Sequence, residues 1–234
     1  MLGKGGSMKL IAIPVLLIAG SSLAGAQLLE GFEHNNLGLY TQAGPAGTNA
    51  SLTAGAAHDG ALGASFASGG ASFYYRTDVA TSAGNSYYGY FRFTGTSVGR
   101  IYMGVNAGAA GAWSAVAGNN TSEIQLQNNT GYTFSTVATS AFTFANDTWY
   151  SLQLDWANNG NMTVRLFNNA RNTQLASTSL FSTGATGSGG FAMRAFSTNA
   201  SNVNFDSFSA VPEPASMLAL GAGLAALARR RRKA

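Results

Sequence analysis

Apolar and polar residues alternate in short runs along most of the chain. The clearest run is WYSLQLDW (Trp149–Trp156), where Tyr150, Leu152, Leu154 and Trp156 share one face. A period of two is that of a strand with one side buried. The run breaks at Ala157–Asn161, whose Asn-Gly step suits a tight reversal, and Met162, Val164 and Leu166 resume the alternation. This pattern predicts a hairpin. Ser72–Val79, Ser86–Gly95 and Arg100–Ala107 read as further strands, and Ser122–Thr136 as a hairpin turning at Asn128–Gly131. GGFAMRAFS (189–197) and NVNFDSFSAV (202–211) read as two closing strands. About a dozen strands with no helix between them predict an all-β fold, a single antiparallel β-sandwich of jelly-roll type.

The alternation fails at both ends. From Met8, read as the start, Lys9 is a basic n-region, Leu10–Ala19 an apolar run, and Ala24-Gly25-Ala26 a small-residue cleavage site before Gln27. These are the parts of a secretory signal peptide, which implies the general secretion machinery and signal peptidase as partners. At the other end, Ala215–Ala228 is apolar and is followed by Arg229, Arg230, Arg231, Arg232 and Lys233. As a helix the run is about 21 Å long, against a hydrocarbon core of about 30 Å, so the expectation is a short transmembrane helix. The bases stand in a block rather than interleaved on one helical face, which favours a stop at the cytoplasmic side over a helix lying on the lipid. Pro212 and Pro214 hold Glu213 in an extended peptide just ahead of that helix. The expected organisation is therefore a signal peptide (1–26), a β-sandwich (27–211) and a tail (212–234).

Composition refines this. Only 9% of residues are charged, and the net charge is +4. The surplus is confined to the ends: between Gln27 and Val211 six arginines face eight acids, a net of −2. A mildly acidic body has no footprint for a phosphate backbone, so nucleic acid is excluded as a partner. The absence of cysteine removes disulfides, thiolate nucleophiles and cysteine-based zinc sites together.

The order Pro-Glu-Pro (Pro212, Glu213, Pro214), short apolar run and arginine cluster (Arg229–Arg232) resembles the PEP-CTERM sorting signal. That resemblance implies recognition by exosortase, a membrane-embedded cysteine protease-transpeptidase of exopolysaccharide-producing bacteria. It also implies transient anchoring in the inner membrane, then transfer to the cell surface or extracellular matrix. The body, through W-Y-x-L-x-L-D-W, G-N-M-T-V-R-L-F and V-N-F-D-S-F-S, resembles concanavalin A-like and laminin-G-like jelly rolls.

The related retaining glucanases resemble E-I-D-x-E, with paired carboxylates on one strand face. The nearest stretch here, Glu123-Ile124-Gln125-Leu126-Gln127, replaces two of the three acids by amides, and Asp155 has Gln153 two residues before it. An amide neither attacks an anomeric carbon nor donates a proton as a carboxylic acid does. His34 and His58 form no i, i+4 ligand pair, no G-x-S-x-G marks a nucleophile, and TGATGSGG lacks a P-loop lysine. No catalytic residue is assigned. Glu30, Glu33 and Asp206 stand at the two ends of the body; if the first and last strands are neighbours, their hard oxygens would suit a structural Ca²⁺ ion. The alternative is that they are solvated strand-end acids. Tyr87, Tyr88, Tyr90, Trp113 and Tyr132 offer faces for stacking sugars, against the alternative that they fill the core. The expectation is an exported, non-enzymatic surface or matrix protein, with a carbohydrate-binding module as the alternative, exopolysaccharide as its partner, and a glycoside hydrolase behind both.

Overall fold

The computed structural model describes residues 26–45, 47, 50–67, 69, 72–181, 183–197 and 201–212. Among these, fifteen strands follow one another. The first eight are β1 (Gln27–Glu30), β2 (Thr41–Ala43), β3 (Ala50–Thr53), β4 (Gly63–Phe66), β5 (Phe73–Ser82), β6 (Asn85–Phe93), β7 (Gly99–Gly108) and β8 (Gly111–Gly118). The rest are β9 (Glu123–Thr130), β10 (Thr136–Ala141), β11 (Tyr150–Trp156), β12 (Met162–Asn168), β13 (Gln174–Leu180), β14 (Ser188–Ser197) and β15 (Val203–Pro212). Two single 3-10 turns, Leu37–Leu39 and Ala54–Ala56, are the helical elements among the described residues.

The strands form two antiparallel sheets packed face to face. One has the order β13-β12-β11-β6-β15-β4-β3, with β1 also on β15; the other runs β10-β9-β8-β7-β14-β5-β2. This is the expected sandwich. The predicted hairpin at 149–166 forms with Trp156 opposite Met162 and Leu152 opposite Leu166, and the inward faces of both strands are buried. Inward side chains alternate with outward polar ones, so the core between the sheets collects Phe91, Trp156, Phe191, Phe205 and Phe208, all 0% exposed. The Trp156 indole N–H, buried with its ring, donates to the Ala185 carbonyl at 2.8 Å. Gly89 lies where the Phe205 ring crosses β6; a Cβ there would meet that ring at 2.5 Å.

The predicted hairpin at 122–136 turns later than the sequence pattern implied. β9 continues through Asn128-Asn129 to Thr130, and Thr136 on β10 pairs back onto Gln127. The reason is a line of side-chain hydrogen bonds on the face of β9 turned away from the core. Gln125 donates to Glu123 at 2.6 Å, Gln127 donates to Gln125, and Asn129 donates to Gln127 at 3.1 Å. These amides are buried yet partnered, so the Asn pair extends the strand. The loop after β9 folds over the same face, where Tyr132 and Phe134 join a second apolar cluster with Phe73 and Tyr102. Arg194 lies against the Tyr102 and Phe134 rings, 4.8 and 4.6 Å from their centroids.

The chain ends of the body meet. β1 runs antiparallel to β15, with Gln27 opposite Ala210, and Pro212 lies opposite Asn85 at the tip of β6. Residues 1–25, which hold nearly all of the expected signal peptide, lie outside the described residues, as do Glu213, Pro214 and the expected transmembrane run with Arg229–Arg232. Among the described residues no helix is long and apolar enough to cross a membrane.

Candidate functional site

The three acids considered for calcium have other partners. Glu30 Oε1 accepts the Phe32 N–H at 2.7 Å, and its Oε2 accepts the Tyr40 hydroxyl and an Arg76 N–H, each at 2.7 Å. Burial, and then the charge of Glu30, raise the Tyr40 phenol well above its ordinary pKa, so it stays a donor. Glu33 Oε1 accepts the N–H groups of Ala61 and Leu62. Asp206, 0% exposed, accepts the N–H groups of His58, Asp59 and Ser207 at 2.7, 2.9 and 2.7 Å. Burial raises the Asp206 carboxyl, with those three N–H groups opposing. Hydrogen-bond donors of the fold thus occupy oxygens that a calcium ion would need, and the termini are joined by strand pairing. Among the described residues no three His, Asp or Glu side chains form a group able to hold a metal ion.

The carboxylates nearest the glucanase pattern are likewise engaged. Glu123 is bonded by Gln125 and Thr139. Asp155 accepts from Ser86 at 2.6 Å, from Gln153, and from Arg165 Nε at 2.6 Å. A carboxylate tied to a guanidinium and two neutral donors is a weak nucleophile and has no second acid beside it.

The five candidate aromatics part company. Tyr87 and Tyr132 are each 2% exposed and belong to the packing, Tyr87 stacked on Phe208 and Tyr132 against Phe73. Tyr88 and Tyr90 point outward from β6 and join a half-buried strip with His58, Trp149, Arg92 and Arg171. There Tyr90 is stacked on His58 at 3.8 Å, Arg171 lies 3.3 Å over Tyr88, and Arg92 lies 4.8 Å over Trp149. Each of these rings already has a cation or an imidazole against it. The strip fastens the 54–62 loop to the sheet, with Arg92 and Asn204 both donating to the Gly55 carbonyl.

Trp113 differs. It lies on β8 opposite Asn128, packed on one side against the core and half-buried, and its other side borders a cleft of about 210 Å³ lined also by Asn106, Ala110, Gly111, Asn128 and Thr130. Among the described residues no ring or cation stacks on its indole, and no protein acceptor takes its N–H. The Asn106 side chain is likewise without a partner, and the Asn128 amide keeps its NH₂ while its oxygen accepts the Thr130 hydroxyl at 2.8 Å. The backbone is shaped for this. The β7–β8 pairing slips between Val105 and Gly108, a bulge that re-aims the intervening side chains. Asn106 takes φ +53° and Gly111 φ +122°; a Cβ at Gly111 would meet the Asn129 carbonyl at 2.2 Å. Asparagine is among the residues that adopt the left-handed region most readily, so it suits this bulge. The sequence pattern marks Trp113 but not Asn106, which the NAGAAGAW turn brings back toward it, nor Asn128, which arrives from the facing strand β9.

The described strands stop at Pro212, the first residue of the Pro-Glu-Pro triplet. The family model described as the PEP-CTERM protein-sorting motif matches residues 210–233. The chain carries a PEP-CTERM sorting motif. The motif takes up the tail and the last residues of β15, and the rest of the body is compared by its fold. A protein of unknown function with a galectin-like fold from Bacillus subtilis superposes with a TM-score of 0.55 at 10% identity, covering 80% of this chain and 96% of that one. The carbohydrate-binding module CBM66 from Bacillus subtilis superposes with a TM-score of 0.49 at 13% identity, covering 63% and 86%. The first similarity shows a galectin-like sandwich and nothing of its ligand. No curated protein matches the chain by sequence.

Proposed function

We propose that the PEP-CTERM chain delivers a non-enzymatic, carbohydrate-binding β-sandwich to the cell surface or extracellular matrix. In this reading residues 1–26 are removed by signal peptidase after export. Residues 27–211 are the mature domain, and 212–234 hold it in the inner membrane until exosortase acts. Pro212, Glu213 and Pro214 present the peptide to the protease, and Arg229–Arg232 keep the tail's end on the cytoplasmic side.

One observation carries the binding role: Trp113 offers an unstacked indole beside neutral amides that still have donors and acceptors to give. A flat ring suits the apolar face of a pyranose, and amides suit its hydroxyls. With no charge among the lining residues, the ligand class is a neutral sugar within the producer's exopolysaccharide. A purely structural matrix role is the second reading. It is favoured by the outward aromatic strip, whose groups bond one another.

The test is retention of the signal-processed protein on neutral glycans, alone and as Trp113→Ala. The expected result is saturable binding that weakens tenfold or more, about 1.4 kcal/mol, in the variant. Equal binding by the two proteins rejects the cleft, and no binding by either leaves the matrix role.

A further inference from the structure

The tail leaves the sandwich without a linker. Pro212 is still paired with Asn85 in the middle of a sheet, and the apolar run begins at Ala215. Three residues span at most about 10 Å when fully extended. The headgroup layer on each side of a bilayer is roughly 5–8 Å deep. A domain so closely tied cannot stand clear of the lipid, and one pole of it must lie there.

Strand register identifies that pole. Pro212 neighbours Asn85, Asn85 neighbours Trp156, Trp156 neighbours Met162, and Met162 neighbours Leu180. In the other sheet Ser82 neighbours Ser188, and β7 turns into β8 through Gly108–Gly111. Thr130 neighbours Gly111, so β9 also ends here, and the connections at this end are 82–85, 108–111, 131–135, 157–161 and 181–187, reading SAGN, GAAG, GYTFS, ANNGN and FSTGATG. None contains Asp, Glu, Lys, Arg or His. All fourteen charges of the body lie outside these connections, the mutually neutralising Asp155–Arg165 pair nearest them on β11 and β12, and Asp147 and Arg171 in connections of the opposite end. Phe181 projects from the neutral end with 74% of its surface exposed.

We infer that this neutral pole is a membrane-contact surface, lying on the lipid headgroups while the precursor is held. The inference rests on the tail acting as an anchor, as proposed above. A charge pressed toward the low-dielectric layer would lose hydration, whereas Asn, Ser, Thr and backbone groups exchange water for headgroup oxygens at small cost. The Phe181 ring suits the acyl boundary.

The cysteine-free sequence allows single-site labelling. Ala109→Cys and Asn159→Cys place an environment-sensitive fluorophore at the neutral pole, and Ala170→Cys places one at the opposite end; all three positions are exposed. The signal-processed chain, residues 27–234, is reconstituted in phosphatidylethanolamine–phosphatidylglycerol vesicles carrying headgroup nitroxides. Several-fold stronger quenching at 109 and 159 than at 170 supports the surface. Flotation with the vesicles but equal quenching at both ends overturns it and leaves the anchor standing. Failure to float overturns the anchor and the surface together. Quenching at 109 and 159 that needs co-reconstituted exosortase overturns the lipid contact in favour of a protein one.

Discussion

Glu123 heads the hydrogen-bonded line of amides on β9, and its titration is where that line meets solvent. Partial burial raises its carboxyl, but the bonds from Thr139, Thr121 and Gln125 and the nearby Arg100 outweigh this and hold it below the ordinary carboxylate value. A folded-state pKa lower than the unfolded one gives stability that is present above about pH 4.3 and is lost as pH falls through the lowered value. Glu123→Gln keeps an acceptor for Thr139 but removes that titration. Urea midpoints measured from about pH 6 to pH 3 should fall less steeply for the variant than for the natural chain. Parallel curves would mean that the ladder is indifferent to charge at its head. At the same scale, Asp206 works in the opposite sense. Its raised carboxyl favours the folded state most at low pH, and that advantage declines as pH rises through its folded value.

At the scale of elements, Asp206 links β15 to the loop carrying His58 and Asp59. Asp206→Ala leaves three N–H groups without their acceptor, and each buried donor so stranded costs about 1–3 kcal/mol. The expected loss is roughly 3 kcal/mol in denaturant titration, with faster amide exchange at His58 and Asp59. Unchanged exchange there would show that the loop is held by its other bonds. How legible each element was depends on what fixes it. β11 and β12 were plain in the sequence because Leu152, Leu154, Val164 and Leu166 alternate without interruption and an Asn-Gly turn divides them. β9 was misjudged at its end because Asn128-Asn129 has turn chemistry locally, whereas pairing with Ala112 and Trp113 on β8, together with side-chain bonds to Gln127 and the Thr133 carbonyl, keeps Asn129 in a strand. The cleft was half legible. Trp113 is visible as an aromatic, but its partners come from a bulge on β7 and from the facing strand β9, and those pairings are absent from any local pattern. The acids at the chain ends show the same limit: that β1 meets β15 was foreseeable, whereas the Arg76 and Tyr40 groups that occupy Glu30 arrive from β5 and from the segment before β2.

For the molecule as a whole, the antiparallel contact of β1 with β15 sets Gln27 beside Ala210, so the body begins and finishes at nearly one point. A ring is therefore almost closed already, and the order in which its strands are translated is not what holds the sandwich together. A few glycines joining residue 212 to residue 27, with a new opening at the exposed 169–170 turn, should yield a circular permutant with a native-like strand spectrum and a cooperative melt. In that protein the neutral pole would carry a closed loop, and the two new termini would sit at the far end. The sandwich would then hang from any attached membrane tail upside down.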